Sequence, residues 1–205
     1  MVDDHAIVRE GLRRIINDTQ EINISAEAST GKEALELIYK NKYDLVLLDI
    51  SMPEKNGLQT LKEIKKYDKK LPVLMLSMHA EEQYALRAIK AGASGYLTKD
   101  SATDQLVSAI KKIYKGRRHI SQKMAELLVT DIYHNEEKQL HEYLSDREFE
   151  IFKFIVQGFA AKKIAKHLSI SDKTVSTYRS RVLKKMHMQS TSDLIHYAIE
   201  NNISD

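Results

Sequence analysis

The first 115 residues alternate between two hydrophobic periods, and that alternation leaves few folds open. INISAEA (Ile22–Ala28), LVLL (Leu45–Leu48), VLML (Val73–Leu76) and GYL (Gly95–Leu97) have the length and composition of short buried strands. Helical patterns lie around them, over His5–Asn17, Lys32–Asn41, Gly57–Tyr67, Glu81–Ala91 and Ala102–Lys115. Leu12, Ile15 and Ile16 share one face of the first, and Leu106, Ile110 and Ile113 one face of the last. Strand–helix alternation with short links predicts an α/β unit, a parallel sheet flanked by helices. In such sheets, ligands bind beyond the carboxyl ends of the strands.

The regular count needs a strand before the first helix, yet only Met1 and Val2 precede Asp3. About four or five apolar residues should run into Asp3, so Met1 is expected to be an internal methionine of a longer chain. Beyond Gly116 the pattern weakens. Ser121–His134 reads as one helix, with Met124, Leu127, Leu128 and Ile132 as its apolar stripe, and the polar Asn135–Glu142 as a linker. Four more helical patterns follow: Asp146–Gln157, Ala160–His167, Asp172–Met186 and Ser192–Asn201. The LSIS turn between the second and third ends in Ser171, a good N-cap, and two helices so joined form a helix-turn-helix. The expected division is an α/β unit over 1–116, a linker with a helix over 117–143, and an all-helical unit over 144–205.

Charge follows this division. From Leu144 to Asp205 there are ten Lys and Arg against seven Asp and Glu, which is the whole net charge of +3. Between Lys162 and Lys185, eight basic residues face one acid, Asp172. A basic cluster on a small unit implies a polyanion partner. The absence of cysteine excludes disulfides, thiolate metal sites and Cys nucleophiles, and suits a reducing cytoplasm. No apolar window is long enough for a membrane span, and MVDDHAIVRE lacks the features of a secretory signal.

The strand ends carry the chemistry. Asp3 and Asp4 open the chain, Asp49 follows Leu48, Ser77 follows VLML, and Lys99 follows GYLT. Three acids converging on one rim cannot all stay ionised without a cation. Oxygen donors without Cys or an evident His pair favour Mg²⁺. His5 is read as packing at a helix start, not as a ligand.

Taken in order, VDDH, LLDISMP, LMLS, GYLTK and LSDREFEIFKFIVQGFAAKKIAKHLSISDKTVSTYRSRVLKKM make the chain resemble the NarL/FixJ response regulators, which carry a LuxR-type helix-turn-helix. The resemblance spans nearly the whole length. It implies a flavodoxin-like, doubly wound receiver with its first strand cut short, followed by an all-α DNA-binding domain. It also implies that Asp49 is the phospho-acceptor. Asp4, Asp49 and the Ser51 carbonyl then hold Mg²⁺, with Asp3 helping through water. Lys99 pairs with the phosphoryl oxygens, Ser77 swings to hydrogen-bond them, and Tyr96 follows inward. Position 100 is Asp where many receivers have proline, so the cis bond common there is not expected.

In Asp172–Met186, Val175, Val182, Leu183 and Met186 form one side, and Lys173, Ser176, Thr177, Ser180, Arg181 and Lys184 the other. A basic, hydroxylic face suits the major groove and its phosphates. The resemblance places base contacts at Ser176, Thr177 and Ser180, and phosphate contacts at Lys173, Thr174, Arg179, Arg181 and Lys184. The implied function is a phosphorylation-controlled transcription regulator. A sensor histidine kinase supplies the phosphoryl group and a homodimer binds promoter DNA, with no catalysis beyond the receiver's own phosphorylation and dephosphorylation. Two other readings compete. One is a phosphorylation-independent regulator whose receiver serves only in dimerisation. The other is a phosphatase-like hydrolase, which calls for a second acid two residues after Asp49, where Ser51 stands.

Overall fold

The computed structural model describes residues 1–205 except 54, 79–80, 134–138, 202 and 204–205. It divides into two compact units, Met1–Asp131 and Ile132–Asp205. In the first unit, β1 (Val46–Asp49), β2 (Val73–Ser77) and β3 (Gly95–Thr98) form a parallel sheet in the order β1-β2-β3. Val2 forms single parallel bridges to Leu48 on one side and to Ala28 on the other. The lanes therefore run Ala28, Val2, β1, β2, β3, the doubly wound order.

The expected strand over Ile22–Ala28 is not present as a strand, since only Ala28 enters the ladder. Apolar periodicity reads burial, whereas a strand also needs a hydrogen-bonding neighbour. The neighbour here is the short lane at Val2. The other three strands match the expectation to within a residue or two.

Helices α1 (Ala6–Asn17) and α5 (Lys99–Tyr114) cover one face, where Leu12 and Ile16 meet Leu47, Leu74, Leu76, Leu97, Leu106 and Ile110. Helices α2 (Gly31–Lys40), α3 (Gly57–Tyr67) and α4 (Glu81–Lys90) alternate with the strands in chain order. Thr30 and Asn56 cap α2 and α3 through their side chains. After α5, His119 bridges Gly95 at the sheet edge. Helix α6 (Gln122–Tyr133) follows, with Ser121 capping its first turn and Met124 fully buried. Position 134, expected to end this helix, and linker positions 135–138 lie outside the described residues.

The second unit contains α7 (Asp146–Val156), α8 (Ala161–Leu168), α9 (Asp172–Lys185) and α10 (Thr191–Glu200). Phe149, Ile151, Phe152, Ile164, Leu168, Val175, Val182, Met186, Leu194 and Ala198 are all buried. Ser145 and Glu148 form a capping box at the start of α7. Glu148 also takes a 2.6 Å hydrogen bond from Lys185 at the far end of α9. Arg147 pairs with Glu150 at 2.7 Å and donates to the Leu168 carbonyl closing α8. These two ties, plus the left-handed Ser169 (φ 50°) in the turn, set the angle between α8 and α9.

Truncating Phe152 to Ala should remove about 3–5 kcal/mol from the second unit. Amide exchange should accelerate across α7 and α9 and stay unchanged in β2 and α5.

Candidate functional site

The three strands are parallel and in register, so their carboxyl ends share one rim. Asp49 pairs with Leu76, and Ser77 with Thr98, which directly precedes Lys99. The carboxylates of Asp3 and Asp49 and the hydroxyl-bearing Ser77 are fully buried there. The Lys99 ammonium lies 2.7 Å from Asp3 Oδ2 and 2.8 Å from Asp49 Oδ2. Ser51 N–H donates to Asp49 Oδ1 at 3.4 Å. His5 N–H donates to Asp3 Oδ1 at 2.8 Å, and Arg9 donates to the Asp3 carbonyl at 2.7 Å. Asp4 is half-buried, with the His5 ring nitrogen 2.9 Å from its carboxylate. His5 is largely exposed at the head of α1, with its ring turned toward the Asp4 carboxylate.

Burial pushes the Asp49 carboxyl from 3.8 up to about 6; the Lys99 charge works against this and the Asp3 charge adds to it. For Lys99, burial works toward neutrality, but the Asp49 and Asp3 carboxylates outweigh it and the ammonium is held above its ordinary value.

Ligand atoms of Asp3, Asp4, His5 and Asp49 all lie within 4.8 Å of one another. Three carboxylates against the single Lys99 ammonium leave an excess of two negative charges. A hard divalent cation fits that oxygen-rich set.

Residues 1–111 match the response regulator receiver domain family, and residues 142–198 match the bacterial regulatory proteins of the luxR family. The response regulator UvrY of Escherichia coli (strain K12) is 35% identical over 204 residues, covering 99% of this chain and 94% of that protein. The oxygen regulatory protein NreC of Staphylococcus haemolyticus (strain JCSC1435) is 31% identical over 212 residues, covering 100% and 98%. A LuxR-family response regulator structure from Aurantimonas sp. SI85-9A1 superposes with a TM-score of 0.60 at 38% identity, over 65% of this chain and 95% of that one.

The chain is a response regulator of the NarL/FixJ family.

In this response regulator Tyr96 is already completely buried on β3, paired in register with Met75. Lys99 stands at the first position of α5, three residues earlier than the periodicity predicted. The signal was present in Thr98 and Ser101, since the Thr98 side chain caps the helix by accepting from Ser101 N–H.

Sequence reading missed Gly57. A Cβ there would meet the Asp49 carbonyl oxygen at 2.0 Å and Ile50 Cα at 2.8 Å. Gly57 N–H donates to the Ile50 carbonyl at 2.8 Å. Helix α3 thus rests directly on the backbone that carries Asp49. Gly31 makes a similar approach to Thr60, whose hydroxyl oxygen a Cβ on Gly31 would meet at 2.2 Å.

On α9, Val175, Val182 and Met186 are buried, whereas Lys173, Ser176, Thr177, Arg179, Ser180, Arg181 and Lys184 are exposed. Thr174 is half-buried in the cap, its hydroxyl 2.8 Å from that of Ser171. The hydroxyls of Ser176, Thr177 and Ser180 donate to the carbonyls of Asp172, Lys173 and Ser176 one turn back. Their oxygens consequently face outward as acceptors. Lys162, Lys163 and Lys166 on α8 are also exposed.

Two outcomes follow. Asp49 binds its proton more tightly folded than unfolded, so without metal stability should fall as pH rises from about 4 to about 6 and stay low above that. In EDTA, Asp49→Asn should flatten this slope and gain roughly 1–3 kcal/mol at pH 7.5 by denaturant unfolding. Gly57→Ala should cost about 1–3 kcal/mol and shift the backbone amide resonances of Asp49 and Ile50.

Proposed function

We propose that this response regulator accepts a phosphoryl group on Asp49 from a phosphohistidine of a sensor kinase and, in response, binds promoter DNA as a homodimer through α9. The observation that carries this reading is the buried Lys99 ammonium shared between Asp3 and Asp49 on the same chain as a basic helix-turn-helix.

Each residue has a physical task. An oxygen of the ionised Asp49 carboxylate attacks phosphorus, and the P–N bond breaks with its electron pair returning to the imidazole nitrogen. The pKa near 6 leaves Asp49 ionised at neutral pH once metal is present to favour that form. Lys99 is close enough to pass from the carboxylate oxygen to a phosphoryl oxygen as charge moves outward. Ser77, on the neighbouring strand end, offers a hydroxyl to the same oxygens. Asp3, Asp4, Asp49 and the Ser51 carbonyl hold Mg²⁺, which supplies neutralisation of the transferring group. The same site catalyses only its own phosphorylation and hydrolysis, and the protein works in the cytoplasm.

On DNA, Lys173, Thr174, Arg179, Arg181 and Lys184 bind phosphates and position α9. Ser176, Thr177 and Ser180 meet base edges. With their protons committed to the helix, they accept from the amino groups of cytosine or adenine. Part of the α10 face pairs with a second copy, consistent with the exposure of Ile199.

Incubation with acetyl phosphate and Mg²⁺ should add one phosphoryl unit by mass to the protein, and none to Asp49→Ala. Phosphate gained equally by both proteins would overturn the assignment. DNA selected from a random pool should bind more tightly after phosphorylation, and equal binding would favour a constitutive regulator. Arg179→Ala and Lys184→Ala should each weaken all sequences alike and lower the salt slope by about 1. Ser176→Ala should instead cost about 1 kcal/mol on the selected site alone.

A further inference from the structure

His5 stands at the N-cap of α1, a position that favours a side chain able to accept from the first turn, yet its ring makes no cap hydrogen bond. The ring turns back to the acidic rim instead. Its Nδ1 lies 2.9 Å from Asp4 Oδ1 and 3.4 Å from Asp3 Oδ1. Asp4 Oδ1 is buried and accepts no hydrogen bond, so the 2.9 Å approach is not one. Two ligand atoms this close, with no proton aligned between them, have the spacing of neighbours around a cation. An octahedral ion with ligands at about 2.1 Å sets adjacent ligand atoms about 3 Å apart.

The other contacts leave this side of the rim open to such an ion. Lys99 engages Oδ2 of both Asp3 and Asp49. The Oδ1 atom of Asp3 takes the His5 backbone N–H and so lies on the His5 side. With Asp3, Asp4 and Asp49, His5 completes a set whose ligand atoms lie within 4.8 Å of one another, the one such group among the described residues. The His5 side chain is 62% exposed. Its second ring nitrogen can therefore keep its proton and bond to water while Nδ1 offers a lone pair inward.

We infer that His5 Nδ1 is a direct ligand for the later first-row divalent ions, Co²⁺, Ni²⁺ and Zn²⁺, and that it tilts this site toward them over Mg²⁺. Imidazole suits those ions, whereas Mg²⁺ is served by carboxylate, carbonyl and water and gives up its waters reluctantly. Mg²⁺ therefore binds through the oxygens and gains nothing from His5. A rim of carboxylates alone would discriminate less. His5 is thus a residue that sets metal preference. The inference rests on the cation site of the proposed function, but not on the phosphoryl donor or on DNA binding.

The test measures metal binding by the full chain and by its His5→Ala and Asp4→Asn variants. His5→Ala keeps the backbone N–H that holds Asp3 and removes no cap bond. By calorimetry it should weaken Ni²⁺ about tenfold or more and leave Mg²⁺ within about twofold. Asp4→Asn should weaken both ions. With Co²⁺, the unmodified chain should show strongly shifted imidazole proton resonances, one of which disappears in deuterated solvent, and the whole set should vanish in His5→Ala. Unchanged Ni²⁺ affinity in His5→Ala, or equal loss for Mg²⁺ and Ni²⁺, would overturn the inference, as would imidazole signals that survive the substitution. Mg²⁺ binding without any imidazole signal from Co²⁺ would overturn this inference alone. Failure of the unmodified chain to bind any of the three cations would overturn the metal site of the proposed function with it.

Discussion

The ammonium of Lys99 is the contact on which the first unit turns. It joins the start of the chain, the end of β1 and the start of α5, with Asp49 fifty positions from Lys99 and Asp3 farther still. Two fully buried carboxylates at one rim would repel each other and lose hydration. A lysine centred between them lowers both costs, and its stem is itself buried. Removing one partner of such a set leaves the others uncompensated, which is why buried ion pairs are costly to break even when their net contribution to folding is small. The arrangement is held for position more than for stability.

The two units divide their electrostatics. Residues outside Leu144–Asp205 carry no net charge, and three of their acids, Asp3, Asp4 and Asp49, are gathered at one rim. The segment Leu144–Asp205 carries an excess of three positive charges, with basic residues on exposed faces of α8 and α9. Within it, two acids of α7 are engaged internally: Glu148 by the capping box and Lys185, Glu150 by Arg147. The lysines and arginines facing solvent on α9 are therefore left to act on an outside polyanion.

Much of this was legible in the sequence, and what was not has physical reasons. Periodicity located the ten described α-helices but not the short 3-10 turn at Leu140–Tyr143, and strand-end position picked out Asp3, Asp49, Ser77 and Lys99, because side-chain burial is written locally. The Ile22–Ala28 run failed as a strand because pairing depends on a distant neighbour. Gly57 escaped notice because nothing near it in sequence shows that α3 will rest on the Asp49 carbonyl. Tyr96 was identified as a position, but its rotamer state belongs to the packed core and not to the composition around it. The start of α5 was misplaced although Thr98 carried a capping signal, since the apolar period begins only at Ala102.

The burial of the strands constrains how a charge on Asp49 can be transmitted. A phosphoryl group adds about −1.5 to −2 charge to a rim already rich in carboxylates. The strand interiors cannot absorb the change, because β1 and β2 are fully buried and close-packed. Tyr96, on β3, is fully buried as well. The groups left to respond are those at the rim: Lys99, which can follow the new oxygens, and Ser77, whose strand leads into α4. Lys99 is the first residue of α5, so its displacement acts on that helix as well. Under the proposed function, the signal leaves the site through the two helices that follow β2 and β3.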